Sequence, residues 1–130
     1  MLYEQSRAVT PSGGFDMSAL GALASTYGPV VDFGAEGQMR ETNEIIEVLM
    51  IEDAVAGGSL SIEIEHSEDG DSFSDIFVSS AIASATLVKG YVIYKAQLPE
   101  DTKRYVRMRI RNTTSTAFTG GKLFGVIRPL

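Results

Sequence analysis

Two segments of the chain alternate strictly between apolar and polar residues, namely residues 60–66 and residues 104–111. Side chains of a β-strand point alternately to opposite faces of its sheet, so a period of two predicts a strand with one buried and one solvated face. The polar positions of the first segment include Glu63 and Glu65. Those of the second segment are arginines: Arg107, Arg109 and Arg111. The pattern predicts an antiparallel sheet protein with one core face and one wet face.

The rest of the chain adds short strands separated by turn signals. Residues 44–52 are apolar at both parities, which is typical of a strand covered on both faces. Asp69 followed by glycine predicts a turn, and Pro99 ends the strand predicted for residues 91–98. About seven or eight strands with at most one helix predict an all-β fold, either a two-layer antiparallel sandwich or a barrel.

Residues 1–27 differ in composition from the rest of the chain. Breakers lie at residues 11–14, and residues 17–24 are rich in small side chains that fit either a short helix capped by Asp16 or an extended arm. We therefore predict an N-terminal arm over residues 1–27 and a β-sandwich domain over residues 28–130. The arm retains apolar side chains, so we expect it to lie across a partner. The alternative is that it folds back and covers an edge of its own sandwich.

The net charge of −6 is unevenly distributed along the chain. Up to Asp75 there are fifteen acidic and two basic residues, and from Ile76 onward there are nine basic and two acidic residues. Because the arginines occupy alternate positions of one predicted strand, Glu63 and Glu65 on a neighbouring strand are suitable partners for them. We predict that the arginines pair with carboxylates of the same or a sister subunit. The alternative is a basic surface for nucleic acid, which the acidic total disfavours.

Few residues of this sequence suit catalysis or metal binding. The chain of 130 residues is long enough for one domain, has no cysteine and has one histidine, His66. A lone histidine at the end of a predicted strand is more often structural than catalytic. The acidic turn at residues 65–75 could offer oxygen ligands to a cation, but it lacks the spacing of a calcium loop and fits a solvated hairpin better. The longest apolar runs are too short to cross a bilayer.

A set of short motifs follows in a fixed order between residues 30 and 127. The motifs are Val31-Asp32-Phe33-Gly34, Gly57-Gly58-Ser59-Leu60-Ser61-Ile62, Ser67-Glu68-Asp69-Gly70 with Phe73, Leu98-Pro99, Lys103-Arg104-Tyr105-Val106-Arg107-Met108-Arg109, and Phe118 with Gly120-Gly121-Lys122 and Gly125. In this order they resemble the capsid cement, or decoration, proteins of short-tailed phages. The most specific part is the Leu-Pro pair, a short turn and the arginine strand, downstream of the Gly-Gly-Ser-Leu strand. Residues 1–27 show no motif of that family.

The resemblance implies a jelly-roll β-sandwich that binds the outer surface of an icosahedral phage head and stabilises contacts between capsid subunits. It implies no enzyme activity and no cofactor, and we expect no bound metal. The expected partners are the major capsid protein of a tailed phage and further copies of this chain, a dimer in preference to a trimer. Nucleic acid and membranes are not expected partners. The expected location is the outer capsid surface of the virion, after synthesis in the host cytoplasm.

Two other classes of protein remain as alternatives. A carbohydrate- or host-receptor-binding sandwich is compatible with the fold, although the chain has no tryptophan and its tyrosines fit cross-strand packing. A metal-dependent enzyme of the double-stranded β-helix type would need several histidines, and the chain has one.

The candidate contact residues come from the predicted arm and from the arginine strand. We expect them to touch the capsid or a sister subunit. They are Leu2, Tyr3, Arg7, Phe15, Met17, Arg107 and Arg109.

Overall fold

The regular secondary structure of the described residues is almost all β-strand. The computed structural model describes residues 6–34 and 44–129. Within these residues the strands are β1 (Arg7–Ala8), β2 (Phe15–Asp16), β3 (Ser25–Tyr27), β4 (Val31–Asp32), β5 (Glu44–Ala56), β6 (Ser59–Ser67), β7 (Ser74–Val78), β8 (Ile82–Ala83), β9 (Val92–Gln97), β10 (Tyr105–Asn112) and β11 (Phe118–Pro129). Two short 3-10 helices, Met17–Ala19 and Ser84–Thr86, lie between strands. In the described part of the chain, no helix has the length and apolar character needed to cross a membrane.

The strands form two antiparallel sheets that pack face to face. Sheet A has the order β1–β11–β5–β9, and β2 pairs with the same edge of β11 as β1 does. Sheet B has the order β3–β10–β6–β7, with β4 also beside β10 and β8 beside β6. The chain passes repeatedly from one sheet to the other and returns, so that β11 lies between β1 and β5, and β10 lies between β3 and β6. This winding is that of a jelly-roll sandwich.

The hydrophobic core lies between the two sheets. Sheet B contributes fully buried side chains from its two central strands: Ile62, Ile64, Val106, Met108 and Ile110. Sheet A contributes a matching set from β5 and β11: Ile46, Val48, Met50, Leu123 and Ile127. Gly125 faces the same interior, where an added side chain would overlap Val9 and press against Met108. The core face predicted for residues 60–66 and 104–111 is therefore confirmed. The polar face of β6 is not solvated as predicted, because Ser61, Glu63 and Glu65 are 4%, 6% and 7% exposed.

The described part of the N-terminal segment, residues 6–27, packs on the sandwich of its own chain. Strands β1 and β2 pair with β11, and β3 pairs with β10. Val9, Met17 and Leu20 are buried in the shared core, at 0–1% exposure. This placement is the folded-back alternative, and residues 6–27 are not a separate arm. Their short strands supply hydrogen-bond partners along sheet edges that would otherwise be open.

The helix considered for residues 17–24 is a single 3-10 turn, Met17–Ala19. The Asp16 side chain caps it by accepting hydrogen bonds from the backbone N–H of Ser18 at 3.0 Å and from the Ser18 hydroxyl at 2.7 Å. These bonds lower the pKa of the Asp16 carboxyl below its ordinary value of 3.8. The predicted Asp16 cap is therefore present, but it begins a single turn and not a longer helix. This turn directs the Met17 side chain into the core.

Strand β5 is longer than its apolar pattern predicted, and its outer face is incompletely covered. Ile46, Val48 and Met50 face the core, whereas Leu49 and Ile51 on the opposite face remain partly exposed. The expectation of cover on both faces therefore holds only in part for the described residues.

A stacked pair of rings closes one side of the sandwich. Phe77 in the edge strand β7 lies against Tyr94 in the edge strand β9, with ring centroids 3.8 Å apart and an angle of 12° between the ring planes. Burial raises the pKa of the Tyr94 phenol above its ordinary value of 10.0. The contact joins the two sheets where their outermost strands meet.

Candidate functional site

The outer face of sheet B is a network of charged side chains. Strands β10 and β6 pair in a register that places Arg107 opposite Glu65 and Arg109 opposite Glu63. Arg107 Nε lies 2.7 Å from Glu65 Oε1, and Arg109 Nη1 lies 3.4 Å from Glu63 Oε2. Arg111 Nη2 reaches the same Glu63 oxygen at 2.8 Å. We call these five residues the charged face. The prediction that the arginines pair with carboxylates is confirmed within a single chain.

The carboxylates of the charged face are almost removed from solvent. Glu63 is 6% exposed and Glu65 is 7% exposed. A carboxylate buried to this degree needs a cation and hydrogen-bond donors to offset its lost hydration. The guanidinium groups provide both, so the charged face is largely neutralised by its own side chains.

The guanidinium group of Arg107 lies between two aromatic rings. Its Cζ is 3.8 Å from the ring centroid of Tyr27 in β3 and 3.8 Å from that of Phe73, which precedes β7. A planar cation over an aromatic face is attracted by the negative charge of the ring's π-system. Two rings and one carboxylate therefore fix the orientation of this side chain. Sequence reasoning missed both rings, because neither Tyr27 nor Phe73 is near Arg107 in the sequence.

Three carboxylates meet at the edge of the charged face. Glu63, Glu65 and Asp75 each place one oxygen within 4.8 Å of the others. Such a group of oxygens suits a hard cation. The arginines already pair with Glu63 and Glu65, however, and a metal ion would compete with them. Of the acidic turn identified in the sequence, Glu65 and Asp75 belong to this cluster. The arrangement favours a charge-paired structural face over a metal centre.

The turn that follows β6 is held by one aspartate. Asp69 Oδ1 accepts hydrogen bonds from the backbone N–H of Ser72 at 2.9 Å, from that of Asp71 at 2.8 Å and from the Ser67 hydroxyl at 2.8 Å. These bonds lower the pKa of the Asp69 carboxyl from 3.8 to about 2. The acidic turn is thus an internally bonded hairpin connection, which agrees with the solvated-hairpin prediction.

His66 occupies a structural position at the end of β6. Its Nδ1 accepts a hydrogen bond from the backbone N–H of Lys103 at 3.1 Å. Burial, and to a smaller extent the Lys103 charge, lowers the pKa of the imidazole below 6.5. A neutral imidazole that accepts a backbone hydrogen bond ties the end of β6 to the start of β10.

Motifs that are distant in the sequence contact one another in the fold. Asp32 accepts hydrogen bonds from Arg104 Nε at 2.7 Å and Arg104 Nη2 at 3.1 Å. The Arg104 guanidinium, with the backbone N–H of Gly34, holds the pKa of the Asp32 carboxyl below 3.8. Elsewhere Gly57 adopts φ +73°, and a side chain there would overlap the ring of Phe118. These residues belong to four of the ordered motifs, so motifs that are separate in the sequence contact one another in pairs in the folded chain.

Five of the seven candidate contact residues belong to residues 1–27: Leu2, Tyr3, Arg7, Phe15 and Met17. Leu2 and Tyr3 are outside the described residues. Phe15 and Met17 are 9% and 0% exposed because their side chains fill the core of their own chain. The expectation that Phe15 and Met17 form an external contact surface does not fit this conformation, since the segment would have to leave the sandwich first.

The three candidate arginines lie on different sheets. Arg7 is in β1, at the edge of sheet A, opposite Ile127 of β11. Arg107 and Arg109 belong to the charged face of sheet B. The structure therefore brings Arg107 and Arg109 together and separates Arg7 from them, and the role of these arginines in contacting another subunit stays a prediction.

The fold and the charged face define an all-β jelly-roll sandwich whose polar face is paired within the chain. A family model covers most of this fold: the model of the Bbp16 family matches residues 16–127. The chain belongs to the Bbp16 family. The match begins at Asp16, so it includes part of the N-terminal segment in which sequence reasoning found no motif. No curated protein matches the chain.

Proposed function

We propose that this protein is a capsid cement protein, which binds the outer surface of an icosahedral phage head and stabilises contacts between neighbouring capsid subunits. The observation that carries the proposal is the mutual contact of the motifs that resemble cement proteins, as between Asp32 and Arg104 and between Gly57 and Phe118. Membership of the Bbp16 family, a phage-type family, supports the same role. The proposed partner is the major capsid protein of a tailed phage.

The physical properties of the sandwich suit this role. A clamp between capsid subunits must resist deformation, and here a continuous core joins both sheets while the charged face and the Phe77–Tyr94 stack tie strands together. Many copies on one shell act together, so each contact needs only modest affinity. The proposed role requires no catalysis, cofactor or metal ion, and its site of action is the outer surface of the virion after synthesis in the host cytoplasm.

Co-sedimentation with empty heads tests the proposal. The heads are assembled from the major capsid protein encoded in the same phage genome and are incubated with labelled protein at micromolar concentration. We expect saturable binding, competition by unlabelled protein and a higher temperature of head disassembly when the sites are filled. An unrelated β-sandwich of similar net charge serves as the control. Labelled protein that stays in the supernatant while the heads sediment contradicts the proposal.

A second candidate is a carbohydrate- or host-receptor-binding module. The observation that favours it is the ring of Tyr27, which is 47% exposed on the charged face beside Arg109. Exposed aromatic rings are common platforms in ligand sites, although one side of this ring already faces Arg107. Binding to a glycan array that is lost in Tyr27→Ala would support this candidate and would count against the cement role if head binding were absent.

A further inference from the structure

The connection between β9 and β10, residues 98–104, is tied to β6 through His66. The imidazole Nδ1 accepts a hydrogen bond from the backbone N–H of Lys103 at 3.1 Å. Within the connection, the backbone N–H and the hydroxyl of Thr102 both donate to the carbonyl of Pro99. These two bonds are local to the turn, whereas the His66 bond attaches the turn to a central strand of sheet B.

The His66 hydrogen bond exists only while the imidazole is neutral. A neutral imidazole has one N–H and one bare nitrogen. Here the bare nitrogen is Nδ1, so the proton is on Nε2. Protonation of Nδ1 turns this acceptor into a donor, and the ring N–H then faces the Lys103 N–H with no acceptor between them. Either the ring or the connection has to move.

The charges that act on the ring lie in the same connection. Lys103 disfavours the charged imidazole, and Asp101 favours it more weakly. The residues opposite His66 in the sheet, Val106 in β10 and Ser74 in β7, are uncharged. Burial together with the Lys103 charge holds the pKa of the imidazole below 6.5, so protonation opposes the native arrangement. The residue is only partly buried, so protons reach it from solvent.

The other charged groups near His66 in the sheet lie on its opposite face. Glu65 precedes His66, and Asp75 of β7 places a carboxylate oxygen within 4.8 Å of one from Glu65, at the edge of the charged face. Adjacent residues of a strand point to opposite sides of the sheet, and His66 lies opposite Val106, which faces the core. The sheet itself therefore separates the imidazole from these carboxylates and from Arg107, with which Glu65 pairs.

We propose that His66 is a pH-dependent tether, which holds the β9–β10 connection on β6 when its imidazole is neutral and releases it when the imidazole is protonated. The neutral ring accepts the Lys103 N–H, and the charged ring has no acceptor to offer. The Lys103 ammonium then repels the charged ring as well. The inference goes beyond the proposed capsid role and does not depend on it.

The release is confined to the connection, because both of its ends have anchors of their own. At one end the Leu98 N–H donates to the carbonyl of Glu44 at 2.9 Å. At the other end Arg104 pairs with Asp32, whose pKa is held below 3.8, so that this ion pair keeps both charges while His66 titrates. The strands therefore stay in place, and the segment between the two anchors changes from fixed to mobile.

The direction of the pH dependence follows from the lowered pKa. The released ring binds a proton more readily than the tethered ring, so the tether is complete above pH 6.5 and is lost as the pH falls through the lower pKa of the tethered form. This range lies above the one in which Asp32 and Asp69 titrate.

Hydrogen exchange at single amides, measured by NMR from pH 7 to pH 4.5, tests the tether. His66 is the one histidine of the chain, so its ring signals report the titration directly. We expect the protection factor of the Lys103 amide to fall about three- to tenfold with the same midpoint as the ring signals. The Gly28 amide, which donates to the carbonyl of Met108, is the internal control and should keep its protection. A Lys103 amide that stays equally protected down to pH 4.5 overturns the proposal, whether or not the ring titrates.

Two variants separate the tether from a general loss of stability. In His66→Asn the side-chain oxygen is bonded to Cγ, as Nδ1 is, so it can accept the same hydrogen bond but does not titrate. Protection of the Lys103 amide in this variant should be independent of pH. Lys103→Gln keeps the backbone donor and removes the ammonium charge, so the midpoint of the ring titration should rise toward 6.5. If His66→Asn does not fold, the wild-type titration and Lys103→Gln still decide. A fall in Lys103 protection that persists in His66→Asn contradicts the proposal, because another group would then cause it.

Discussion

Arg107 and Glu65 stand directly opposite each other in β10 and β6, and the guanidinium Nε donates a hydrogen bond to the carboxylate at 2.7 Å. Because Glu65 is 7% exposed, its charge depends on this partner more than a surface carboxylate would. The net stabilisation by such a pair is small, since both charges lose hydration. Removal of one partner is costly, because the other charge stays behind in a poorly hydrated place.

The first prediction concerns this pair. Arg107→Ala should lower the free energy of unfolding by about 2–4 kcal/mol, because it leaves Glu65 without its cation. In the double variant Arg107→Ala with Glu65→Gln, the loss should be smaller than the sum of the two single losses, because no uncompensated charge remains. Urea unfolding of all four proteins measures the coupling. Additive losses would show that the two side chains act independently.

The second prediction concerns the ring that covers Arg107. Tyr27→Leu should destabilise the protein by about 0.5–1 kcal/mol, because it keeps an apolar side chain but removes the π-face under the guanidinium group. Tyr27→Phe is the matched control and should be nearly neutral, since the ring remains. Equal losses in both variants would assign the effect to the hydroxyl group and not to the ring.

The alternating strands were the most predictable part of this fold. A period of two places Ile62, Ile64 and Met108 on the core face, because the face of each residue follows from its position in the alternation. This holds regardless of which strands lie beside them. The same parity places Glu63 and Glu65 with the arginines on one outer face. The face of each of these residues thus follows from local sequence, whereas the pairing of β6 with β10 and the burial of Glu63 and Glu65 do not.

Other contacts depend on positions that local sequence does not encode. Strands β1 and β2 are each two residues long, too short to show a periodicity in the sequence. Both pair with an edge of β11, which lies more than a hundred residues further along the chain. The contact between Asp32 and Arg104 likewise joins residues 72 positions apart. The outer face of β5 looked buried because Leu49 and Ile51 are apolar, but hydrophobicity does not say what covers a side chain.

The third prediction concerns pH. The folded-state pKa of Asp69 is about 2, below its ordinary value of 3.8, because the native turn donates hydrogen bonds to the charged carboxylate. A depressed pKa means that the unfolded state binds protons first, so this contribution to stability is complete above pH 3.8 and is lost as the pH falls toward about 2. Asp32, whose pKa is also lowered, acts in the same direction.

Asp69→Asn tests this pH dependence. An amide oxygen can still accept the turn hydrogen bonds, but it does not titrate, so the free energy of unfolding of the variant should fall less steeply between pH 4 and pH 2 than that of the wild type. Urea unfolding at a series of pH values measures the slope. The control is Asp71→Asn, a neighbouring exposed carboxylate in the same turn. An identical slope for wild type and Asp69→Asn would contradict the assignment.

The last prediction concerns the N-terminal segment, which the structure builds into the sandwich. Met17 is fully buried, so Met17→Ala should lower the free energy of unfolding by about 2–5 kcal/mol, through lost apolar burial and the cavity left behind. Leu23→Ala is the matched control, because Leu23 is 68% exposed in the same segment and its truncation should change stability by less than about 0.5 kcal/mol. Deletion of residues 1–27 also removes Val9 and Leu20 from the core and should give an unfolded or insoluble product. A deletion variant that folds but no longer binds empty heads would instead show that the segment serves attachment and contributes little to the domain.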